Sequence, residues 1–289
     1  MPNPFEVTKL AHVALGALDM NKQAEFYVER WGLDRIDEHG GQLFLRGDCP
    51  QHHIVELNAS GKSGIDHVAL EVASADDVER AADFLSGQGV EIVTPPTKEL
   101  EPGIAKSMRV RDPEGNVVEL VAGVDTVTDA YGSRDVKPKG LNHVVLWAKD
   151  MPAMETFYRD TLGFQQSDAI ANFMTFWRCN ANHHSIALCP AREGQTGLHH
   201  AAFDTKDWQE FMSAVFWMGE RGVQRFWGPG RHTAGNNLFS YYHDPEGNTV
   251  EWTSEVEQIT DPNYVAPLRQ PGPKVTDQWG SMPPGAPPR

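Results

Sequence analysis

Two histidines and one glutamate in the second half of the chain have the residue types of a metal-binding set. His143, His200 and Glu251 each lie in a separate short segment with the apolar pattern of a strand. Two neutral imidazoles and one carboxylate can bind one face of a divalent ion and leave three positions open, the set associated with non-haem Fe(II) and O2. A structural zinc site would fill its coordination shell and prefers cysteine. The pattern therefore predicts an open metal site.

An internal repeat indicates which elements must position these residues. The segment 112–119, DPEGNVVE, recurs as DPEGNTVE at 244–251, and several shorter blocks recur in the same order at offsets of 131 to 133. Repetition in one order and near one offset indicates a tandem duplication. We predict an N-terminal module over residues 1–125, a C-terminal module over 138–256 and a proline-rich C-terminal arm over 257–289.

Each module also has the pattern β-α-β-β-β written twice. In the C-terminal module, helices are predicted over 151–161 and 208–220, each followed by a glycine. Strands are predicted over 141–147, 173–178, 184–188, 198–203, 238–243 and 249–253. Amphipathic helices must cover one face of a sheet, so the other face can curl around a cavity. The predicted fold class is α+β, with a curled, partly closed β-barrel in each module and the helices outside.

The alternation of side chains along a strand allows only one of His199 and His200 to face this cavity. The N-terminal module has Asp66 at the position of His199 but retains His67 at the position of His200. We therefore assign His200 to the ligand set. A single histidine on a strand is usually a hydrogen-bonded core residue, but three such residues at repeated positions favour the metal site.

Composition and charge exclude several classes of partner. The formal net charge of −15 argues against binding to nucleic acid or anionic membranes. The chain has no apolar run of 18 residues and no signal-like N-terminus, so neither a membrane span nor secretion is predicted. Three cysteines cannot build a disulfide framework, which is typical of a reducing cytoplasm.

The residues around the ligand set resemble the type I extradiol catechol dioxygenases of the vicinal oxygen chelate superfamily, which has the glyoxalase/bleomycin-resistance fold. The most specific stretch is Gly-x-His at 230–232, a tyrosine nine positions later, Asp-Pro at 244–245 and then the ligand glutamate. Further matching stretches are 140–143, 178–185 and 197–200. The resemblance covers nearly all of the chain except the tail. One departure is Ser240, where the family usually has an apolar residue.

The resemblance implies ring cleavage of a catechol or substituted catechol by O2 at one Fe(II), with Mn(II) as the less favoured ion. It implies that His184 is an acid–base residue beside the O2 position. It also implies that His232 and Tyr241 hydrogen-bond the catechol oxygens as neutral groups. Imidazole suits proton transfer because its pKa is near neutrality. The residues alone do not choose between His184 and its neighbour His183.

The N-terminal module retains some of the same residues but not all of them. His12, His53, His67 and Glu119 are present, so its ligands alone do not exclude a second metal. However, Arg109 aligns with Tyr241, and residues 99–105 contain no histidine to match His232. A cationic arginine is unfavourable beside a divalent ion. We therefore predict a non-catalytic relic that packs against the C-terminal module and retains these side chains as hydrogen-bonded remnants.

Aromatic residues near the ligands are candidates for a substrate pocket. Trp147 shares a strand face with His143, and Phe176 shares the parity of His184 if the intervening turn preserves it. Phe173 and Trp177 lie on the same segment as Phe176. An aromatic wall suits a planar apolar substrate.

Two other functions remain open from the sequence. The same fold supports metal-dependent isomerases and lyases of the glyoxalase type, in which His232 and Tyr241 would have no evident role. It also supports binding proteins without a metal, which would gain nothing from an intact ligand set. A homo-oligomer is expected because a proline-rich arm and a relic module often serve subunit contacts.

Overall fold

The computed structural model describes residues 3–132, 136–272 and 274–281. The first half of the chain forms one mixed sheet of eight strands in the order β2-β3-β4-β1-β5-β8-β7-β6. Its strands are β1 (Val7–Gly16), β2 (Asp34–His39), β3 (Gln42–Arg46), β4 (Val55–Asn58), β5 (Gly64–Val72), β6 (Ile92–Lys98), β7 (Ile104–Arg111) and β8 (Val117–Val124). Its helices are α1 (Met20–Glu25), which continues into a π-helical turn at Phe26–Arg30, and α2 (Ala75–Gly87).

The second half repeats this arrangement in a nine-stranded sheet of order β14-β15-β16-β13-β9-β12-β11-β10-β17. Its strands are β9 (Gly140–Ala148), β10 (Gln165–Ile170), β11 (Met174–Arg178), β12 (Ile186–Pro190), β13 (Leu198–Asp204), β14 (Arg225–Arg231), β15 (Leu238–His243), β16 (Thr249–Ser254) and β17 (Leu268–Arg269). Its helices are α3 (Met151–Thr156), which continues into a π-helical turn at Phe157–Thr161, and α4 (Trp208–Glu220). The predicted fold class is confirmed, because each half has the order β-α-β-β-β twice.

Three local details differ from the prediction. The helix expected over 151–161 changes to a π-helical turn halfway. Strands β10 and β14 were not located individually, because β10 is largely polar and β14 contains Gly228-Pro229-Gly230, which obscures a strand pattern. His184 precedes β12 instead of beginning it, since the backbone N–H of His183 donates to the carbonyl of Glu257 and not to a neighbouring strand.

The two faces of the second sheet have different environments. On β9, Val144 and Leu146 belong to the large apolar core, whereas Val145 and Trp147 face a separate cavity. Helix α4 covers the core face with buried residues spaced three or four apart, as an amphipathic helix does; they are Phe211, Ala214, Val215 and Met218. The helices therefore leave the opposite face free to form a site.

An aromatic stack joins the two modules. Trp31, which directly follows the π-helical turn of the first half, is fully buried and stacks on Trp252 of β16 with ring centroids 4.3 Å apart. Its edge also meets Phe203 and Tyr242. The first module therefore supports the strand that carries Glu251 from its core side.

The described part of the C-terminal arm lies against the second sheet. Strand β17 pairs in parallel with β10, and residues 274–281 return to the region of His232. Residues 273 and 282–289 of the predicted arm lie outside the described residues. In the described ranges, no helix is long and apolar enough to cross a membrane.

Replacing Trp31 by alanine should destabilise the protein strongly, because it removes a fully buried indole from the contact between the modules. We expect the free energy of unfolding to fall by about 3 to 5 kcal/mol, measured by urea denaturation. Leu18→Ala is the control, since Leu18 is 66% exposed and its loss should cost less than about 1 kcal/mol. Equal effects of the two substitutions would contradict this account of the interface.

Candidate metal centre

The pairing of three adjacent strands brings the predicted ligands to one face. His143 on β9 is opposite Ala202 on β13, and Ala202 is opposite Glu251 on β16. His200 lies two residues before Ala202 on the same strand, so its side chain projects to the same side. This row of His143, Ala202 and Glu251, with His200 beside it, follows from strand order and register alone.

The donor atoms of the three side chains are close enough to share one ion. The Nε2 atoms of His143 and His200 are 3.3 Å apart, and Oε2 of Glu251 lies 3.4 Å from the first and 3.1 Å from the second. Donor atoms that bind one ion at about 2.1 Å, at angles of roughly 90° to 110°, lie about 3.0 to 3.4 Å apart. The three side chains are buried. They therefore have the spacing of one face of a coordination polyhedron.

Hydrogen bonds behind His143 fix which ring nitrogen faces the centre. Its Nδ1 lies 2.7 Å from Oδ1 of Asn142, while Nδ2 of Asn142 donates to Asp204 at 2.8 Å. An amide oxygen only accepts, so Nδ1 of His143 carries the proton and Nε2 presents a lone pair. Such a partner behind a ligating histidine orients the ring and raises its basicity.

His200 has a comparable support in His199. Their Nδ1 atoms are 2.7 Å apart, and burial lowers the pKa of His199 to about 3, so this ring is neutral near pH 7. When His200 donates its Nδ1 proton to His199, its Nε2 also has a free lone pair. His199 also lies against Trp147, with ring centroids 4.3 Å apart. Both histidines line the cavity, so the expectation that only one of them faces it is wrong, because the strand has a register shift between Leu198 and His200.

Glu251 provides the test of whether a cation fits. Its buried Oε2 has no hydrogen-bond donor among the described residues, while Oε1 lies 3.4 Å from Nδ2 of Asn237. Two imidazole lone pairs and this oxygen converge without a proton to place between them. A buried carboxylate in that setting is unfavourable unless a cation compensates it. The donor set therefore fits one divalent ion.

Of the adjacent histidines 183 and 184, only one lines the cavity beside these donors. The ring of His184 lies 4.1 Å from that of His143 and belongs to the cavity wall. Its Nδ1 lies 3.0 Å from Nδ1 of His183, so Nε2 is the nitrogen left for a ligand. His183 is buried behind it, with Nε2 3.6 Å from Asp168. Burial lowers the pKa of His184 well below its usual value, and the neighbouring His143 adds to this effect.

His232 and Tyr241 form a hydrogen-bonded pair on the other side of the donors. Nδ1 of His232 donates to the carbonyl of Thr276 in the arm at 2.6 Å, so Nε2 accepts from the Tyr241 hydroxyl at 3.0 Å. Burial lowers the pKa of His232, and burial with the nearby Glu251 raises the pKa of Tyr241 well above its usual value. Both groups are therefore neutral near pH 7.

An aromatic cavity of about 390 Å³ opens beside the donors, within the size range of small-molecule sites. Trp147 and Phe176, which the sequence suggested, both line it, and Phe173 lies at its exposed edge. Trp177 belongs to the core on the opposite face. Sequence reasoning missed Ile170, Met174, Phe226, Trp227, Val275 and Thr276.

The sequence pattern failed to identify these cavity residues for different reasons. Trp227 stacks on Tyr241 at an angle of 10° with ring centroids 5.2 Å apart, but its strand was hidden by the Gly-Pro-Gly sequence. The repeat gave no clearer signal, because β6, the counterpart of β14 in the first module, contains Pro95-Pro96. Val275 and Thr276 come from the arm, which has no counterpart in the repeat and so gave no signal.

The fold and the donors together define a class of protein in which a curled, duplicated sheet supports a buried donor set beside a cavity. The chain belongs to the Glyoxalase/Bleomycin resistance protein/Dioxygenase superfamily, whose family model matches residues 9–120 and 140–252. Both modules are therefore matched, and the family resemblance seen in the sequence is confirmed.

Individual relatives are similar over nearly the whole chain. The manganese-dependent 2,3-dihydroxybiphenyl 1,2-dioxygenase of Geobacillus genomosp. 3 is 27% identical over 281 residues, covering 90% of this chain and 89% of that protein. The iron-dependent extradiol dioxygenase of Rhodococcus jostii is 25% identical over 286 residues, covering 91% of this chain and 94% of that protein. The crystal structure of the Mn(II)-bound glyoxalase from Novosphingobium aromaticivorans matches with a TM-score of 0.90 at 31% identity, covering 97% of this chain and 93% of that one.

Replacing Asn142 by alanine should weaken metal binding without removing a ligand. The substitution removes the acceptor that holds Nδ1 of His143, so we expect the Kd for Mn(II) to rise roughly 10- to 100-fold. Competition with a chelator measures it, and circular dichroism checks the fold. Asn263→Ala in the exposed part of the arm is the control. An unchanged Kd would show that the Asp204–Asn142–His143 series does not support the site.

Proposed function

We propose that this chain is an extradiol dioxygenase that cleaves a catechol or substituted catechol with O2, using a metal held by His143, His200 and Glu251. The observation that carries the proposal is geometric. Three donors converge on one side, and on their open side lie an aromatic cavity, His184 and the His232–Tyr241 pair. The names of the relatives from Geobacillus and Rhodococcus, both dioxygenases, support the same activity.

The protein side chains have separable roles in this proposal. A bound divalent ion would supply coordination sites where both catechol oxygens and O2 can meet, with a lowered pKa for the catechol hydroxyls. His232 can accept a proton at Nε2 from the catechol, and the Tyr241 hydroxyl can donate to a catechol oxygen. His184 can hold or deliver a proton at Nε2 on the O2 side. Trp147 and Phe176 contact the faces or edges of the aromatic ring.

We propose Fe(II) as the physiological ion, with Mn(II) as the alternative. Two imidazoles and a carboxylate accept either ion, because the donor set does not discriminate strictly between them. The printed names of the relatives include both metals. The identity of the ion therefore needs a direct comparison.

We propose that only one of the two modules is catalytic, as the sequence suggested. Residues 138–256 form the catalytic module, residues 1–125 form a non-catalytic module, and Val275 and Thr276 from the arm of 257–289 complete the cavity wall. Three free cysteines suit a reducing cytoplasm, which we propose as the location. The homo-oligomer stays a prediction, and the exposed apolar face of Trp208, Met212 and Phe216 on α4 is the surface we propose for it.

The function is tested by anaerobic reconstitution of metal-free protein with Fe(II) or Mn(II), followed by a catechol and air. Catechol, 3-methylcatechol and 2,3-dihydroxybiphenyl should give yellow ring-opened products, and Glu251→Ala should reduce the rate by at least about 100-fold. The higher kcat/KM identifies the preferred ion. No yellow product from any catechol with either ion would overturn the proposal.

A glyoxalase-type isomerase is the second candidate, because the Novosphingobium structure carries the name glyoxalase. The pair His232 and Tyr241 beside the donors favours the dioxygenase. Incubation of the Mn(II)- and Ni(II)-loaded protein with the hemithioacetal of methylglyoxal and glutathione separates the two functions. Thioester formation without oxygen consumption would favour the isomerase.

Replacing Tyr241 by phenylalanine should reduce kcat/KM for the catechol roughly 10- to 100-fold, because it removes one hydrogen bond to the reacting oxygen. The metal content should stay unchanged, since Tyr241 is not one of the proposed ligands. Tyr242→Phe is a matched control, since that hydroxyl lies on the other sheet face and contacts Ser240 at 3.0 Å. We expect less than about a twofold change for the control. Equal losses in the two variants would argue against a role for Tyr241.

A further inference from the structure

The N-terminal module contains a second convergent donor set at the same register as the first. His12 on β1 is opposite Ala69 on β5, and Ala69 is opposite Glu119 on β8. His67 lies two residues before Ala69, as His200 lies two residues before Ala202. The row of two histidines and one glutamate is therefore present twice in the fold.

A fourth donor joins this row in the first module. In the repeat, Glu101 aligns with His232, which lies 131 residues later. Its Oε2 lies 3.4 Å from Nε2 of His12, and its Oε1 lies 3.4 Å from Nε2 of His67. Nε2 of His67 is also 3.0 Å from Nε2 of His12 and 3.0 Å from Oε2 of Glu119. All four side chains are buried, and one donor atom from each lies within 4.8 Å of the others.

Hydrogen bonds within the described part of the protein leave some of the carboxylate oxygens in this cluster without a donor. Oε2 of Glu101, Oε1 of Glu119 and Oε2 of the adjacent Glu56 are buried and have no hydrogen-bond donor among the described residues. Nδ1 of His67 lies 3.4 Å from Asp66, which orients its Nε2 toward the carboxylates. One proton on Nε2 of His67 could serve only one of the acceptors around it. Part of this cluster is therefore left unsatisfied by hydrogen bonds within the protein.

The charge of the cluster matches a divalent ion. Glu56, Glu101 and Glu119 bring three negative charges, and Arg109 is the cation among them, with contacts to Glu101 and Glu119. With the histidines counted as neutral, the formal sum is −2, whereas the second module has Ala187 and His232 at the positions of Glu56 and Glu101. The added carboxylates compensate the arginine, whose charge would otherwise disfavour an ion.

We propose that the N-terminal module binds a second divalent transition-metal ion through His12, His67, Glu101 and Glu119. Two nitrogen and two oxygen donors from the protein fill a four-coordinate shell. Arg109 stands where Tyr241 stands in the other module, so the side on which a catechol would enter is taken by a guanidinium. The ion would thus stabilise the fold of the first module and take no part in ring cleavage.

The number of ions per chain tests the proposal, with Zn²⁺ as the probe. Chelator-stripped full-length protein is loaded with excess Zn²⁺, passed through gel filtration and analysed for zinc. We expect two ions per chain in the wild type, one in Glu251→Gln, one in Glu119→Gln and none in the double variant. Glu119 and Glu251 form a matched pair, because each occupies the same register position and each change keeps the side-chain shape.

The Glu251→Gln protein decides the question even if Glu119→Gln does not fold, since it leaves the first module intact. One retained ion, which is lost on adding His12→Ala, supports the proposal. Zn²⁺ should also raise the Tm of Glu251→Gln by roughly 5 °C at about 100-fold excess over Kd. No retained ion and an unchanged Tm overturn it.

The outcome is independent of the proposed ring cleavage. A wild-type protein that binds one ion and cleaves catechols overturns the second site and leaves the dioxygenase standing. A protein that binds two ions and cleaves no catechol does the reverse.

Discussion

The convergence of His143, His200 and Glu251 on one buried point is the constraint on which the rest of this structure depends. Two imidazole lone pairs and a carboxylate oxygen within 3.1 to 3.4 Å of one another repel unless a positive charge lies between them. Removing a carboxylate from water costs several kcal/mol when nothing compensates it. The surrounding hydrogen bonds, from Asp204 through Asn142 to His143, hold this unfavourable geometry and so prepare the site for a cation.

The register of the sheets explains why each module has the same row of donor residues, and the residues around the row explain how the two modules differ. In both modules three adjacent strands in parallel and antiparallel pairing bring His, Ala and Glu into one row. The residues around the row then decide its chemistry. His232 and Tyr241 are neutral and leave one side accessible to a substrate, whereas Glu101 and Arg109 are charged and close that side. The donor row is therefore present in both modules, while the residues beside it differ.

Much of the fold and part of the site could be predicted from the sequence, because both follow from local periodicity and from the repeat. The repeat selects His200 over His199 as a ligand, and the side chains of Trp147 and Phe176 lie on the cavity as parity predicts. The sequence comparison noted only that residues 99–105 lack a histidine, so it did not identify Glu101 as a member of the buried cluster. Its interpretation required the three-dimensional structure, which shows that Glu101 lies beside Glu119 and Arg109. The arm residues had no repeat partner and no periodic pattern.

The C-terminal arm fixes the tautomer of His232 in the cavity. The carbonyl of Thr276 accepts the Nδ1 proton of His232, which leaves Nε2 as an acceptor and directs the hydroxyl of Tyr241 toward it. Asp277 holds this segment by accepting from the backbone of Arg231, and Gln278 donates to the carbonyl of His232. Because the carbonyl fixes the tautomer, Nε2 can accept a proton from a ligand with no change of tautomer, once the Tyr241 hydroxyl turns from Nε2 toward a ligand oxygen. A segment 44 residues from His232 in sequence therefore sets the direction in which a proton can move at the cavity.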